Sequence, residues 1–250
     1  MSPDRLLPLQ NALNVRDLGG YQTQDGRTVA WRRLVRAGSL SNLSPADGAV
    51  LLDYGVTHDL DLRSDAEVRR APDQLPERIR YRQLSVYPFA DRASLWTRVR
   101  RRLSKAPTGM VATYEKMLTD SHANAVFGEV FATVLAAAPG EATLFHCTAG
   151  KDRTGVAAMM LLGGLGVPAA TIQADYMLTN QIYDAAATGV APSGSATVDA
   201  MNAHPAEAAN YQAVVALLAK NYGGSWSRYL TQQLRLSEGD LADLRRLYLV

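Results

Sequence analysis

His146-Cys147-Thr148-Ala149-Gly150-Lys151-Asp152-Arg153-Thr154-Gly155 contains the only cysteine of a 250-residue chain, with an arginine six positions after it. A thiolate is a strong nucleophile, and a guanidinium is a planar fork that grips two oxygens of a tetrahedral anion. With a glycine-bearing loop between them, these residue types suit attack on a phosphorus atom. Loop N–H groups and the start of a following helix would converge on the anion. The helix terminus adds about half a positive charge. The same field should pull Cys147 below the ordinary thiol value of about 8.5.

Roles follow from these chemistries. Cys147 attacks and expels an alcohol or phenol, leaving a thiophosphate that water then hydrolyses. Arg153 holds the equatorial oxygens, and Thr148, Ala149, Gly150 and Lys151 form the binding cradle. Thr154 can donate its hydroxyl to the sulfur. His146 orients the loop rather than acting as a base. The leaving group needs a proton; Asp152, inside the loop, is the first candidate, with Asp91 and Asp120 behind it. The bland alternatives are a core cysteine beside a chance arginine, and an Asp152 that only orients loop amides. No His, Asp or Glu cluster has metal-ligand spacing, and this chemistry calls for no metal or other cofactor.

The elements around the motif have to position it. Ala142 to His146 reads as a short apolar strand. Arg153 to Leu165 reads as a helix that is apolar nearly all round and so belongs in the interior. Upstream, residues 20–36 read as a hairpin turning at Asp25-Gly26. Ser44 opens a helix, 56–62 is a strand, and 78–86 is a strand with arginines 78, 80 and 82 on an exposed face. Helices are expected at 94–105, 110–119, 124–138, 168–186, 206–221, 225–235 and 238–248, with 187–205 a loop. Strands alternating with helices predict an α/β fold, a central and mostly parallel sheet flanked by helices on both faces. No repeat or linker divides residues 1–250, so one domain is expected.

Composition sets few limits. The chain is 47% apolar and 20% charged, with a formal net charge of +2, too small to point to nucleic acid. A lone cysteine cannot form a disulfide within the chain. The N-terminal residues carry no apolar run of signal-peptide length, and the apolar stretch Val156 to Val167 is too short to span a bilayer. The expected location is the cytoplasm; export by a signal-independent route would leave no trace in the sequence.

The ten-residue motif resembles the phosphate loop of cysteine-dependent protein tyrosine phosphatases, and its Gly-Lys-Asp-Arg-Thr form resembles the bacterial branch acting on phosphotyrosine and lipid phosphates. Asn14-Val15-Arg16-Asp17-Leu18-Gly19-Gly20-Tyr21, Arg36-Ala37-Gly38, Leu60-Asp61-Leu62-Arg63-Ser64 with Glu67, and Asp175-Tyr176 match as well. The resemblance implies a phosphatase-like fold with extra helices, a thiophosphate intermediate, no cofactor, and an acid drawn from the loop itself. Some relatives carry a helical lid, for which 91–120 or 183–205 could serve.

Substrate class is less constrained. Residues 63–105 hold 12 Arg or Lys against 5 Asp or Glu, with Arg98, Arg100, Arg101, Arg102 and Lys105 in one stretch. That collar would attract phosphopeptides or anionic head groups, or is simply a solvated helix face. Lys151 adds charge suited to a substrate with several phosphates. Arg63, at the end of the 56–62 strand, either binds substrate or pairs with Glu67. The expectation is a phosphatase of phosphorylated proteins, phosphotyrosine first, with phosphoserine, phosphothreonine and phosphoinositide activity beside it. The rivals are a non-catalytic phosphate-binding module and a thiolate sulfurtransferase. Arsenate reduction would need further cysteines.

Overall fold

The computed structural model describes residues 5–87, 89, 109–185, 198–199 and 202–250. The basic stretch 94–105, Asp91 and much of both expected lid segments lie outside them.

Five strands form one sheet: β1 (Arg16–Asp17), β2 (Leu34–Ala37), β3 (Val56–Asp61), β4 (Arg80–Gln83) and β5 (Ala142–His146), in the order β1-β2-β5-β3-β4. Only β1 runs antiparallel to its neighbour. β5 lies at the centre, and every residue of it is buried. A continuous apolar run is what a parallel strand covered on both faces requires. Phe145, with Leu34 and Leu60 beside it, faces a large core, while Leu144 and Ala142 face a smaller one with Val35 and Val56. β4 is the outer strand, and its exposed Arg80 and Arg82 discourage further pairing.

The smaller core is closed by α1 (Pro45–Asp53), whose Ser44 and Asp47 form a reciprocal capping box. α2 (Asp65–Arg70) follows β3. The large core is built by α3 (Met110–Thr119), α4 (Ser121–Ala136), α5 (Arg153–Gly164), α6 (Ala169–Ala185), α7 (Ala208–Tyr222), α8 (Trp226–Gln233) and α9 (Glu238–Tyr248). All of α5 except Gly163 is buried. Val156, Met159, Met160, Leu161 and Leu162 each gain about 1.5–3 kcal/mol on leaving water. Gly163 is where Trp226 packs flat on the helix: a Cβ there would lie 2.2 Å from the indole.

The expected α/β class is borne out. The helix expected at 124–138 runs Ser121–Ala136, and two strands are shorter than expected. The turn at residues 23–27 forms, with Thr23 N–H donating to the Arg27 carbonyl. However, the strand predicted over 28–35 pairs in the sheet only from Leu34, because Val29 instead bridges to Leu249. The strand predicted over 78–86 is ordered as sheet only at Arg80–Gln83. Among the described residues, no helix is long and apolar enough to cross a membrane.

Candidate active site

β2, β3 and β5 stop together, His146 lying opposite Ala37 on one side and Asp61 on the other. The motif therefore leaves the sheet at the carboxyl edge, where open α/β folds bind ligands. Its carbonyls are tied away from the centre. The Thr148 carbonyl accepts from Ser39 N–H, and the Ala149 carbonyl from Asn14 Nδ2 and the Tyr183 hydroxyl. The Gly150 carbonyl accepts from Asn14 Nδ2 and Arg36 Nη2. Because peptides are planar, carbonyls held outward aim the following N–H groups inward, towards the start of α5. Gly150 has φ +62°, and a Cβ would sit 2.4 Å from the Ala37 carbonyl oxygen, so only glycine fits. The Asn14 segment thus braces the loop, and Arg16 and Arg36 are fixed in turn by buried Asp175.

Cys147 is buried at the head of this loop. Burial pushes its thiol up, but Arg153 together with the hydroxyl and backbone N–H of Thr154 outweighs burial and brings it below the ordinary value. That hydroxyl has no other partner among the described residues. Arg153 is held end-on by Glu67, with Nη1 2.8 Å from Oε2 and Nη2 2.9 Å from Oε1. Nη1 also reaches the Leu62 carbonyl at 3.5 Å. Among the described residues, Nε–H and the second Nη2–H have no partner, and they form the side-on edge of the guanidinium. Burial pushes Glu67 up, yet Arg153, Thr148 and Ser64 hold it down to about 2. It is a fixed anion at neutral pH.

Asp152 is 3% exposed, and burial raises its carboxyl above the usual range despite Lys151, Tyr114 and Arg153. Tyr114 donates to its Oδ1 at 2.8 Å, and Lys151 Nζ lies 3.6 Å from Oδ2. Lys151 also donates to the His204 carbonyl. Asp120, the described one of the two reserve acids, caps α4 by accepting from His122 and Ala123 N–H.

Arg63 lies at the expected edge but does not pair with Glu67. It binds Asp61 and Asp73 along with the Ser39 hydroxyl and the Ala71 carbonyl, which occupies all five of its N–H donors. Glu67 belongs to Arg153 because Ser64 caps α2 and its N–H and hydroxyl draw the Glu67 carboxylate back over the helix start. Arg63 is therefore part of the scaffold, with no donor left for a ligand.

Behind the loop, His146 Nδ1 is 3.2 Å from the Cys147 carbonyl. Its Nε2 faces Asp73 at 3.1 Å, Asp59 at 3.4 Å and Asp61 at 3.7 Å. Burial disfavours the imidazolium, but the three carboxylates prevail and its pKa is raised well above the ordinary value. Asp59, Asp73 and His146 offer ligand atoms within 4.8 Å of one another, a grouping that sequence spacing did not reveal. Burial pushes the Asp59 carboxyl above the usual range, with His146 acting against it.

A family model described as a tyrosine phosphatase family matches residues 7–250. The chain belongs to the tyrosine phosphatase family. A Cupriavidus necator relative, provisionally named a tyrosine-protein phosphatase, is 35% identical over 67% of this chain and 60% of its own length. A tyrosine-protein phosphatase of Nostoc commune is 31% identical over 84% of this chain and 72% of its own. The triple specificity protein phosphatase PtpB of Mycobacterium tuberculosis is 32% identical over 69% of this chain and 68% of its own. In this member of the tyrosine phosphatase family, motif reading singles out the stretches that hold Asn14 and Arg36 but misses Tyr114 and Tyr183. The pattern Ser64-x-x-Glu67 was the one local signal that Glu67 turns back on its helix.

Proposed function

We propose that this protein is a phosphatase that hydrolyses phosphate monoesters through a cysteinyl-phosphate intermediate. The open side-on edge of Arg153, beside a thiol of lowered pKa, carries the reading. Two equatorial oxygens fit that edge, while inward loop N–H groups take the third. The Cys147 thiolate attacks phosphorus, the bond to the leaving oxygen breaks, and Asp152 gives that oxygen its proton. Asp152, now a carboxylate, takes a proton from water as the water displaces the sulfur. Thr154 holds the thiolate by donating to it and eases its departure in the second step.

Phosphotyrosine in proteins is the first substrate. Tyr87 lies with its ring centroid 5.1 Å from the Arg153 guanidinium, and Phe89 meets it edge-on at 4.9 Å, an aromatic pair beside the phosphate position suited to an aryl ring. Phosphoserine, phosphothreonine and phosphoinositides come next, on the strength of Lys151 and of the name that the Mycobacterium tuberculosis relative bears.

Turnover of p-nitrophenyl phosphate by wild type and Cys147→Ser tests the reaction, with trapped phosphoenzyme as a second readout. Wild-type turnover that disappears in Cys147→Ser is expected; an inert wild type would overturn the proposal. A panel of phosphotyrosine peptide, phosphoserine peptide and phosphatidylinositol phosphates then ranks the substrates.

A further inference from the structure

Asp152 does not stand alone in its pocket. Its Oδ1 accepts the Tyr114 hydroxyl at 2.8 Å, and the Tyr114 and Tyr176 hydroxyl oxygens are themselves 2.8 Å apart. Asn210 Nδ2 donates to the Tyr176 oxygen at 3.3 Å. The two rings meet edge to face, with centroids 5.9 Å apart at 76°. Tyr114 comes from α3, Tyr176 from α6 and Asn210 from α7, and each is at most 1% exposed. A tyrosine has one hydroxyl proton. A carboxyl is the stronger acceptor, so Tyr114 gives its proton to Asp152 and Tyr176 gives its own to Tyr114. The order of donors is thereby fixed from Asn210 to Asp152.

We infer that Tyr114 and Tyr176 are positioning residues for the acid: their phenol chain ties down Oδ1 of Asp152 and so makes Oδ2, 3.6 Å from Lys151 Nζ, the oxygen that carries the transferred proton. This rests on the reading of Asp152 as the acid. It assigns function to two buried hydroxyls that packing alone would not require, since phenylalanine would fill the same space. The chain also sets when the acid loses its proton. Burial pushes the Asp152 carboxyl above the usual range, and the Tyr114 hydrogen bond moderates that by stabilising the carboxylate. Lys151 and Arg153 act on it in the same direction from their own stretch of chain. Cys147 faces it from the loop, Tyr87 from the segment after β4, and Tyr183 from α6.

The experiment compares Tyr114→Phe, Tyr176→Phe and Asp152→Asn on phenyl phosphate, a poor leaving group, and p-nitrophenyl phosphate, a good one. With the Tyr114 hydroxyl gone, the Asp152 carboxylate loses a donor and its pKa rises, so the basic limb of the kcat/KM profile should move up by about half a pH unit or more. kcat on phenyl phosphate should fall about tenfold with KM little changed, and p-nitrophenyl phosphate should suffer less. Tyr176→Phe should shift the limb the same way by less, and it serves as the test if Tyr114→Phe does not fold. If Asp152→Asn loses phenyl phosphate turnover but the foldable Tyr→Phe variants leave the limb in place and slow both substrates equally, the phenol chain is only packing and the inference is overturned. If Asp152→Asn keeps phenyl phosphate turnover, the loop acid itself is wrong and the inference falls with it.

Discussion

Cys147 and Arg153 meet where little water remains, so each donor aimed at the sulfur or the phosphate acts in a medium of low dielectric constant. In the proposed reaction Arg153 serves two anions with one guanidinium, Glu67 end-on and the phosphate side-on. A lysine offers a point charge in place of two forks. Arg153→Lys should therefore lower kcat by about 10²–10³-fold, the scale of losing one preorganised transition-state donor; steady-state kinetics on p-nitrophenyl phosphate measure it. Thr154 invites a separate test. Its hydroxyl and N–H both lower the thiol, and Thr154→Val removes only the hydroxyl. The Cys147 pKa should then rise, and the pH dependence of alkylation by iodoacetamide should move up relative to wild type. An unchanged profile would mean that Arg153 and the backbone alone set the thiolate.

At the scale of elements, the loop is a product of the strands and helices that clasp it. Asn14 reaches two loop carbonyls across 135 and 136 positions of sequence. Asn14→Ala would leave both without that donor, at a cost of about 1–3 kcal/mol. The expected result is kcat/KM lower by about tenfold or more, with a modest drop in melting temperature; a loss of stability alone would mean that the loop keeps its shape unaided. The same distances explain what the sequence could tell. β5, the loop and α5 are contiguous, so their order and burial follow from local pattern, as do the capping boxes at Ser44 and Ser237. Glu67 is harder, since spacing of four along a helix favours Arg63, yet the Ser64 cap turns its carboxylate towards an arginine 86 positions away. Tyr114 meets Asp152 only because α3 packs against α5, which no local spacing encodes.

Over the whole molecule, the two cores are unequal in character as well as size. The large one is sealed by helices, whereas the sheet's other face carries the side chains of Asp59, Asp61, Asp73, Arg63 and His146 at the loop edge, all of them buried. Charges are buried there because each is paired, and unpairing one of them destabilises the fold. His146 is the group whose state pH can change. In the fold its pKa is raised well above 6.5 by Asp73, Asp59 and Asp61, against the opposing effect of burial. A raised pKa adds stability that is fully present below the unfolded value and is lost as pH climbs through the folded one. Every tenfold tightening of proton binding on folding adds about 1.4 kcal/mol. Melting temperature should therefore decline as pH rises above 6.5, by about 2–4 °C for each kcal/mol in a chain of this length. Asp73→Asn removes the nearest carboxylate, 3.1 Å from Nε2, which lowers the folded pKa, so the decline should still begin near 6.5 but end at a lower pH and be smaller. Differential scanning calorimetry of both proteins across that range makes the comparison. Parallel curves, separated by a constant offset, would mean that His146 is already neutral in the fold and that Asp73 serves Arg63 alone.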